Sequence, residues 1–378
     1  MPMKPILVRI VLIGMISLQA APAVASSPAE TADVCGECHR DIYTTWKASA
    51  HSRSLEDPTF LDAFRATEAR EGDKTARLCL GCHAPMVTVN GDYALEQKTT
   101  WEGVSCDVCH SIVSVDLEGR PPGLELEIGS IKRGPIRDAE SMHHEVVFSD
   151  LHTKSIACAG CHEYTNAEGT PLLTTYTEWK GSAAAQDGKT CQTCHMSLTA
   201  GNVVDPRVAR VGEAEINLHE VPGGHSIQQL HKAFRVVIEP AREGDTLRVE
   251  VQIINRGAGH AVPTGMPGRR VILTVNARGY SGARFEEKRV YGKFFLDEEG
   301  DRIVHDSGYF AAGVRLESDS RIQPDETRVE RFAFPIGAEV TTDLQVQLHY
   351  EHAPMGEEEP KTRLTFYSEK RFLKGSGG

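Results

Sequence analysis

The residues of this chain that are able to do chemistry repeat at one spacing. A Cys-x-x-Cys-His run occurs five times: Cys35, Cys38 and His39; Cys79, Cys82 and His83; Cys106, Cys109 and His110; Cys158, Cys161 and His162; Cys191, Cys194 and His195. All 10 cysteines fall in these runs. A single Cys-x-x-Cys is half a zinc site or a redox dithiol. Zinc does not require a histidine directly after every second cysteine, and a disulfide framework does not repeat one short spacing. Five copies with no cysteine left over read as attachment sites for c-type haem. Two thiols form thioethers to one porphyrin, and the adjacent histidine becomes the proximal iron ligand. The expected cofactor is five covalent haem c groups. No thiol remains for a structural disulfide, a catalytic cysteine or a lipid anchor.

Each run supplies one iron ligand, so a second must come from elsewhere. The chain has 16 histidines, five of them proximal. Six of the others are candidate distal ligands. His51 ends the helical stretch that leaves the first run and is expected to face a neighbouring haem. His144, with His143 beside it, and His152 precede the fourth run. His219 and His225 flank the Val221-Pro222-Gly223-Gly224 turn. His260 sits in a glycine-rich loop, Gly257 to Gly265, where small residues permit close approach of backbone and Pro263 stiffens it. The tally permits bis-histidine ligation throughout. Met266 is the one methionine placed to compete. His231, His305, His349 and His352 are expected to be structural. If one haem were open, Tyr164 and His143 would be the groups nearest the chemistry.

The elements that must hold these residues divide the sequence. Residues 1–25 read as a secretory signal, with Lys4 and Arg9 ahead of a short apolar run and Ala23-Val24-Ala25 as the cleavage site. Residues 26–232 carry all five runs, too many haems for an ordinary side-chain core. Short helices and irregular loops are expected to wrap a core made of haem, with helical pieces at 40–50 and 226–234. Arg120-Pro121-Pro122-Gly123 and Gly134-Pro135 mark loops. Residues 233–378 change character. Leu247, Val249, Val251 and Ile253 alternate with polar residues, as do Val271, Leu273 and Val275, then Val329, Arg331 and Ala333, then Leu344, Val346 and Leu348. That period of two predicts strands. The expected architecture is a mainly α and irregular multihaem cytochrome c domain followed by an antiparallel β-sandwich, immunoglobulin-like in outline.

The formal charge of -12 argues against nucleic acid as a partner and favours a basic patch on a protein partner. Around the motifs, Asp41 to His51, Gly103-Val104-Ser105 before Cys106, Glu178-Trp179 ahead of Cys191, and Pro222-Gly223-Gly224-His225 resemble the cytochrome c554 and c-prime multihaem family. The resemblance covers about 26–232. It implies closely packed haems, mostly with two histidine ligands, serving electron transfer; the signal segment and the motifs together lead us to expect a location in the periplasm or outside a bacterial cell. The fifth run and the C-terminal extension depart from the tetrahaem members. The implied partners are other cytochromes or a quinol-oxidising membrane complex, with no membrane segment after processing. Two alternatives stay open: an oxidoreductase with one five-coordinate haem acting on a small nitrogen or sulfur compound, and a subunit of a homo-oligomeric cytochrome filament.

Overall fold

Every Cys-x-x-Cys-His run lies in or at the end of a short helix: Ala32–Cys38, Asp73–His83, Cys106–His110, Ile156–His162 and Cys191–His195. One helical turn puts cysteines three apart on the same face. Two of these single turns are capped by hydroxyls. Ser105 accepts from the Val108 amide at 3.4 Å, and Thr190 forms a reciprocal capping box with Thr193. These features come from a computed structural model that describes residues 29–118, 123–210, 212, 214–354 and 362–376. The expected signal segment and the loop residues Arg120, Pro121 and Pro122 lie outside the described residues.

Up to Ala233 the chain is short helices and small two-stranded ribbons. The helix after the first run spans Arg40–Lys47, three residues shorter than expected. That before the C-terminal region spans Ile227–Ala233, with Ser226 as its cap. Apolar packing here is sparse; Leu55, Leu80, Ala84 and Val87 form a small buried cluster. No helix among the described residues is long and apolar enough to cross a membrane.

The C-terminal region is strand-rich and antiparallel. Its seven long strands are β1 (Phe234–Glu243), β2 (Thr246–Asn255), β3 (Arg269–Gly279), β4 (Arg284–Tyr291), β5 (Thr327–Phe334), β6 (Thr342–His352) and β7 (Thr362–Leu373). They form a three-stranded sheet ordered β5-β2-β1 and a four-stranded sheet ordered β4-β3-β6-β7. One buried core draws on both, with Leu247, Val249, Val251 and Ile253 from β2 and Val271, Leu273 and Val275 from β3. β5 differs from the expectation: Phe332 and Phe334 are its core-facing residues, while Arg331 and Ala333 are exposed. A phenyl ring buries far more apolar area than alanine, so the aromatic pair sets which face turns inward.

Buried polar contacts tie the two regions together. The Glu178 carboxylate pairs with the Arg321 guanidinium at 2.7 Å, their side chains 8% and 5% exposed. Glu178 also accepts from the Ala261 amide (3.1 Å), the Thr264 hydroxyl (3.0 Å) and the Thr174 hydroxyl (2.5 Å). Arg321 is held from its other side by Asp319 at 2.6 Å. Lys293 donates to the Pro171 carbonyl at 2.6 Å, and burial pushes its ammonium down to about 8. Farther along, the 3-10 turn Asp306–Phe310 packs against the helix Pro58–Glu71.

Removing one partner of a buried ion pair strands the other charge. Arg321→Met is expected to lower stability by about 3–5 kcal/mol in chemical denaturation followed by far-UV circular dichroism. The double change Glu178→Met with Arg321→Met should recover much of the loss. Equal stability of Arg321→Met and the parent chain would refute this account of the junction.

Candidate functional site

The fold turns histidines from distant segments into opposed pairs. Ring centroids lie 6.1 Å apart for His39 and His144, 6.2 Å for His51 and His162, 6.4 Å for His110 and His219, and 6.3 Å for His195 and His260. Two imidazoles on opposite faces of one metal, each through a bond of about 2 Å, place their centroids roughly 6 Å apart. Among the described residues, no three His, Cys, Asp or Glu side chains converge as a metal site of their own. An opposed pair of donors beside two thiols fits a planar macrocycle that fills the remaining positions of the iron.

Hydrogen bonds orient the rings. The Nδ1 of His39 donates to the Val203 carbonyl (2.6 Å), that of His110 to Arg133 (2.6 Å), and that of His195 to Pro222 (2.7 Å). His83 does the same to Ser54 at 3.1 Å. On the opposing side His219 donates to Asn217 (2.7 Å) and His260 to Ala261 (2.9 Å). A carbonyl can only accept, so Nδ1 carries the proton and Nε2 keeps its lone pair. Such second contacts fix the ring plane and raise its basicity as a ligand. Burial pushes His51 and His110 down to about 4, and His162 to about 3. These rings stay neutral, as iron ligation requires.

The thiols show which runs are neighbours. Cys35 is hydrogen-bonded to Cys106, Cys82 to Cys161, and Cys158 to Cys191. The first run therefore lies beside the third, the second beside the fourth, and the fourth beside the fifth. All ten thiols are free of disulfides. Burial and shared protons hold Cys106, Cys158 and Cys161 well above the usual thiol range.

Two expected distal residues stand differently. His152 is 6.0 Å from His110, but its Nε2 donates to the Cys109 carbonyl at 2.8 Å. That carbonyl belongs to the helix that carries His110, so the Nε2 that would serve as a ligand is engaged by the backbone. His225 meets the Tyr350 ring edge-on at 6.0 Å. Among the described residues no imidazole stands about 6 Å from His83; the ring stacked on it is Phe60, with centroids 3.9 Å apart. Met266 packs in an apolar cluster with Tyr164 and Phe310. His143 is exposed. His231 binds the Phe366 carbonyl, His349 the Thr365 hydroxyl and His352 the Asp306 carboxylate, while His305 leaves Nδ1 buried with no protein partner. Sequence reasoning missed Phe60, which stacks on His83, and Arg269, whose charge acts on it; neither lies in a motif.

The model of the family described as cytochrome c554 and c-prime matches residues 34–111, which hold the first three runs. No curated protein matches the chain. Among solved structures, a penta-heme cytochrome c552 from Thermochromatium tepidum is similar over 91% of this chain and 99% of its own, with TM-score 0.72 and 23% identity. The E. coli curli protein CsgC covers 36% of this chain and 96% of its own at TM-score 0.19 and 8% identity. A hypothetical protein from Pyrococcus horikoshii OT3 covers 37% and 88% at TM-score 0.18 and 15% identity. These last two likenesses are too weak to carry an argument. The chain thus shares the fold of a penta-heme cytochrome and, over its first three Cys-x-x-Cys-His runs, resembles the cytochrome c554 and c-prime family.

Proposed function

We propose that the chain is an exported electron-transfer protein, periplasmic or extracellular, carrying five covalent haem c groups. The four opposed imidazole pairs carry this reading, because each matches the spacing of two ligands on one iron. The assignments are His39 with His144, His162 with His51, His110 with His219, and His195 with His260. His152 and His225 fall outside the ligand set. The haems supply one-electron redox centres; bis-histidine ligation and the acidic surroundings set their potentials on the low side. The thiol contacts set the first centre beside the third, the second beside the fourth and the fourth beside the fifth. The chain divides at about residue 232 into the haem domain and an immunoglobulin-like β-sandwich, whose loop lends His260. Redox proteins presenting a basic patch are the partners that suit the net charge.

A second reading rests on His83. With no imidazole opposite it, the haem of the second run would be five-coordinate and open to a small nitrogen or sulfur compound. The carrier and the open-haem readings share the other four centres.

Two measurements test this. The pyridine haemochrome absorbance should correspond to five haems per chain, and Cys158→Ala with Cys161→Ala should lower it to four. EPR of the oxidised protein should resolve low-spin signals from four centres and a high-spin signal from one. His260→Met should alter a single low-spin signal; unchanged low-spin signals would remove His260 from the ligand set. Five low-spin centres and no reaction of the reduced protein with CO would leave a pure carrier.

A further inference from the structure

The peptide unit that joins His260 to Ala261 is pinned at both ends. Its carbonyl, that of His260, accepts from the Asn255 side-chain amide at 3.0 Å, and Asn255 is fully buried. Its N–H, that of Ala261, donates to Glu178 Oε2 at 3.1 Å. Just beyond, Val262 and Ile322 exchange backbone bonds of 3.0 and 3.2 Å. On the other side of His260, Gly259 presses on the segment ahead of the fifth run. A β-carbon there would stand 2.9 Å from the Ala184 methyl and 3.2 Å from the Trp179 ring. The His260 ring itself donates through Nδ1 to the Ala261 carbonyl, so its plane follows the backbone that these contacts fix.

Glu178 divides its two oxygens between two tasks. Oε1 takes the Arg321 guanidinium at 2.7 Å and the Thr174 hydroxyl at 2.5 Å, the contacts of the brace between the two regions. Oε2 takes the Ala261 amide and, at 3.0 Å, the Thr264 hydroxyl, both in the His260 loop. These four donors match the acceptor capacity of one ionised carboxylate, and the charge strengthens each bond. The ring so held lies at 17° to the plane of His195, whereas the other three opposed pairs are inclined by 27° to 42°.

We propose that Glu178, through Oε2, is the positioning residue for the iron ligand His260, a role separate from its ion pair with Arg321. The proposal rests on the reading that His260 ligates the haem of the fifth run. Glu178 acts through the backbone: it sets the plane of the peptide that follows His260, and the imidazole is carried on that peptide. Outer contacts that orient an imidazole tune the metal it binds, and the angle between two axial ring planes is read directly in a low-spin EPR signal. Positioning needs an acceptor at Oε2 and no charge, whereas the brace needs the charge that pairs with Arg321. The two roles therefore respond to different substitutions.

The test uses the full haem-loaded protein, with EPR of the oxidised form and CO uptake by the reduced form. His260→Met marks which low-spin signal belongs to the fifth run. Arg321→Met loses stability but keeps the acceptor, and should keep that signal. Glu178→Met with Arg321→Met regains stability but leaves only a thioether, a weak acceptor. It should alter the marked signal and take up more CO per chain than the parent. Glu178→Gln with Arg321→Met puts an uncharged acceptor oxygen back, and should return both the signal and the parent's CO uptake. Glu178→Asp, the mildest change, keeps the charge and withdraws the acceptor by one methylene, and should shift the same signal. A parent-like fifth-run signal in both Glu178→Asp and the Glu178→Met with Arg321→Met chain would overturn the positioning role and leave Glu178 a brace. So would a signal that follows stability, lost in Arg321→Met and regained when Glu178→Met is added. If His260→Met changes no low-spin signal, the ligation reading falls and the positioning role falls with it.

Discussion

Opposed imidazoles separated by a little over 6 Å are the constraint on which the rest of this structure depends. A difference of half an ångström either opens the pair or crushes it, so every element that carries such a ring must be placed to that tolerance. The pairs join segments far apart in the chain: His39 meets His144, and His195 meets His260. The carbonyls that orient the rings are equally remote, with Val203 reaching back 164 positions to His39. Loops without regular structure supply most of these carbonyls. They are held by their contacts rather than by secondary structure.

This explains the uneven distribution of apolar packing. The first half of the chain has small satellite clusters, while the continuous core lies between the two C-terminal sheets. Burying one Val, Leu or Ile contributes about 1.5–3 kcal/mol, and the sheets collect many such residues. The β-region is thus a self-supporting body against which less well-packed helices are braced. The brace is polar: Glu178, Arg321 and Lys293 knit the loop of His260 to the helix ahead of the fifth run.

The parts of this molecule that are legible in sequence are those governed by local chemistry. Haem attachment needs three residues within five positions, so the motif carries the whole signal. Strands β2, β3 and β6 expose their period of two directly. β5 does not, because Phe332 and Phe334 outweigh the weaker alternation of Val329, Arg331 and Ala333. Which imidazole faces which is a tertiary fact, invisible in spacing. His51 follows the first run and lies against His162 of the fourth. His152 has the look of a ligand until its Nε2 is found bonded to the Cys109 carbonyl.

The position of His260 has a temporal consequence. All five attachment runs leave the ribosome before it does, and the strands that fix its loop follow later still; β6 begins at Thr342. On the proposed ligation, the fifth run could take up its haem before its facing imidazole exists in a folded form. Coordination of that centre would then wait for the last third of the chain, and a shortened polypeptide would keep all five attachment runs while lacking the imidazole that faces the fifth.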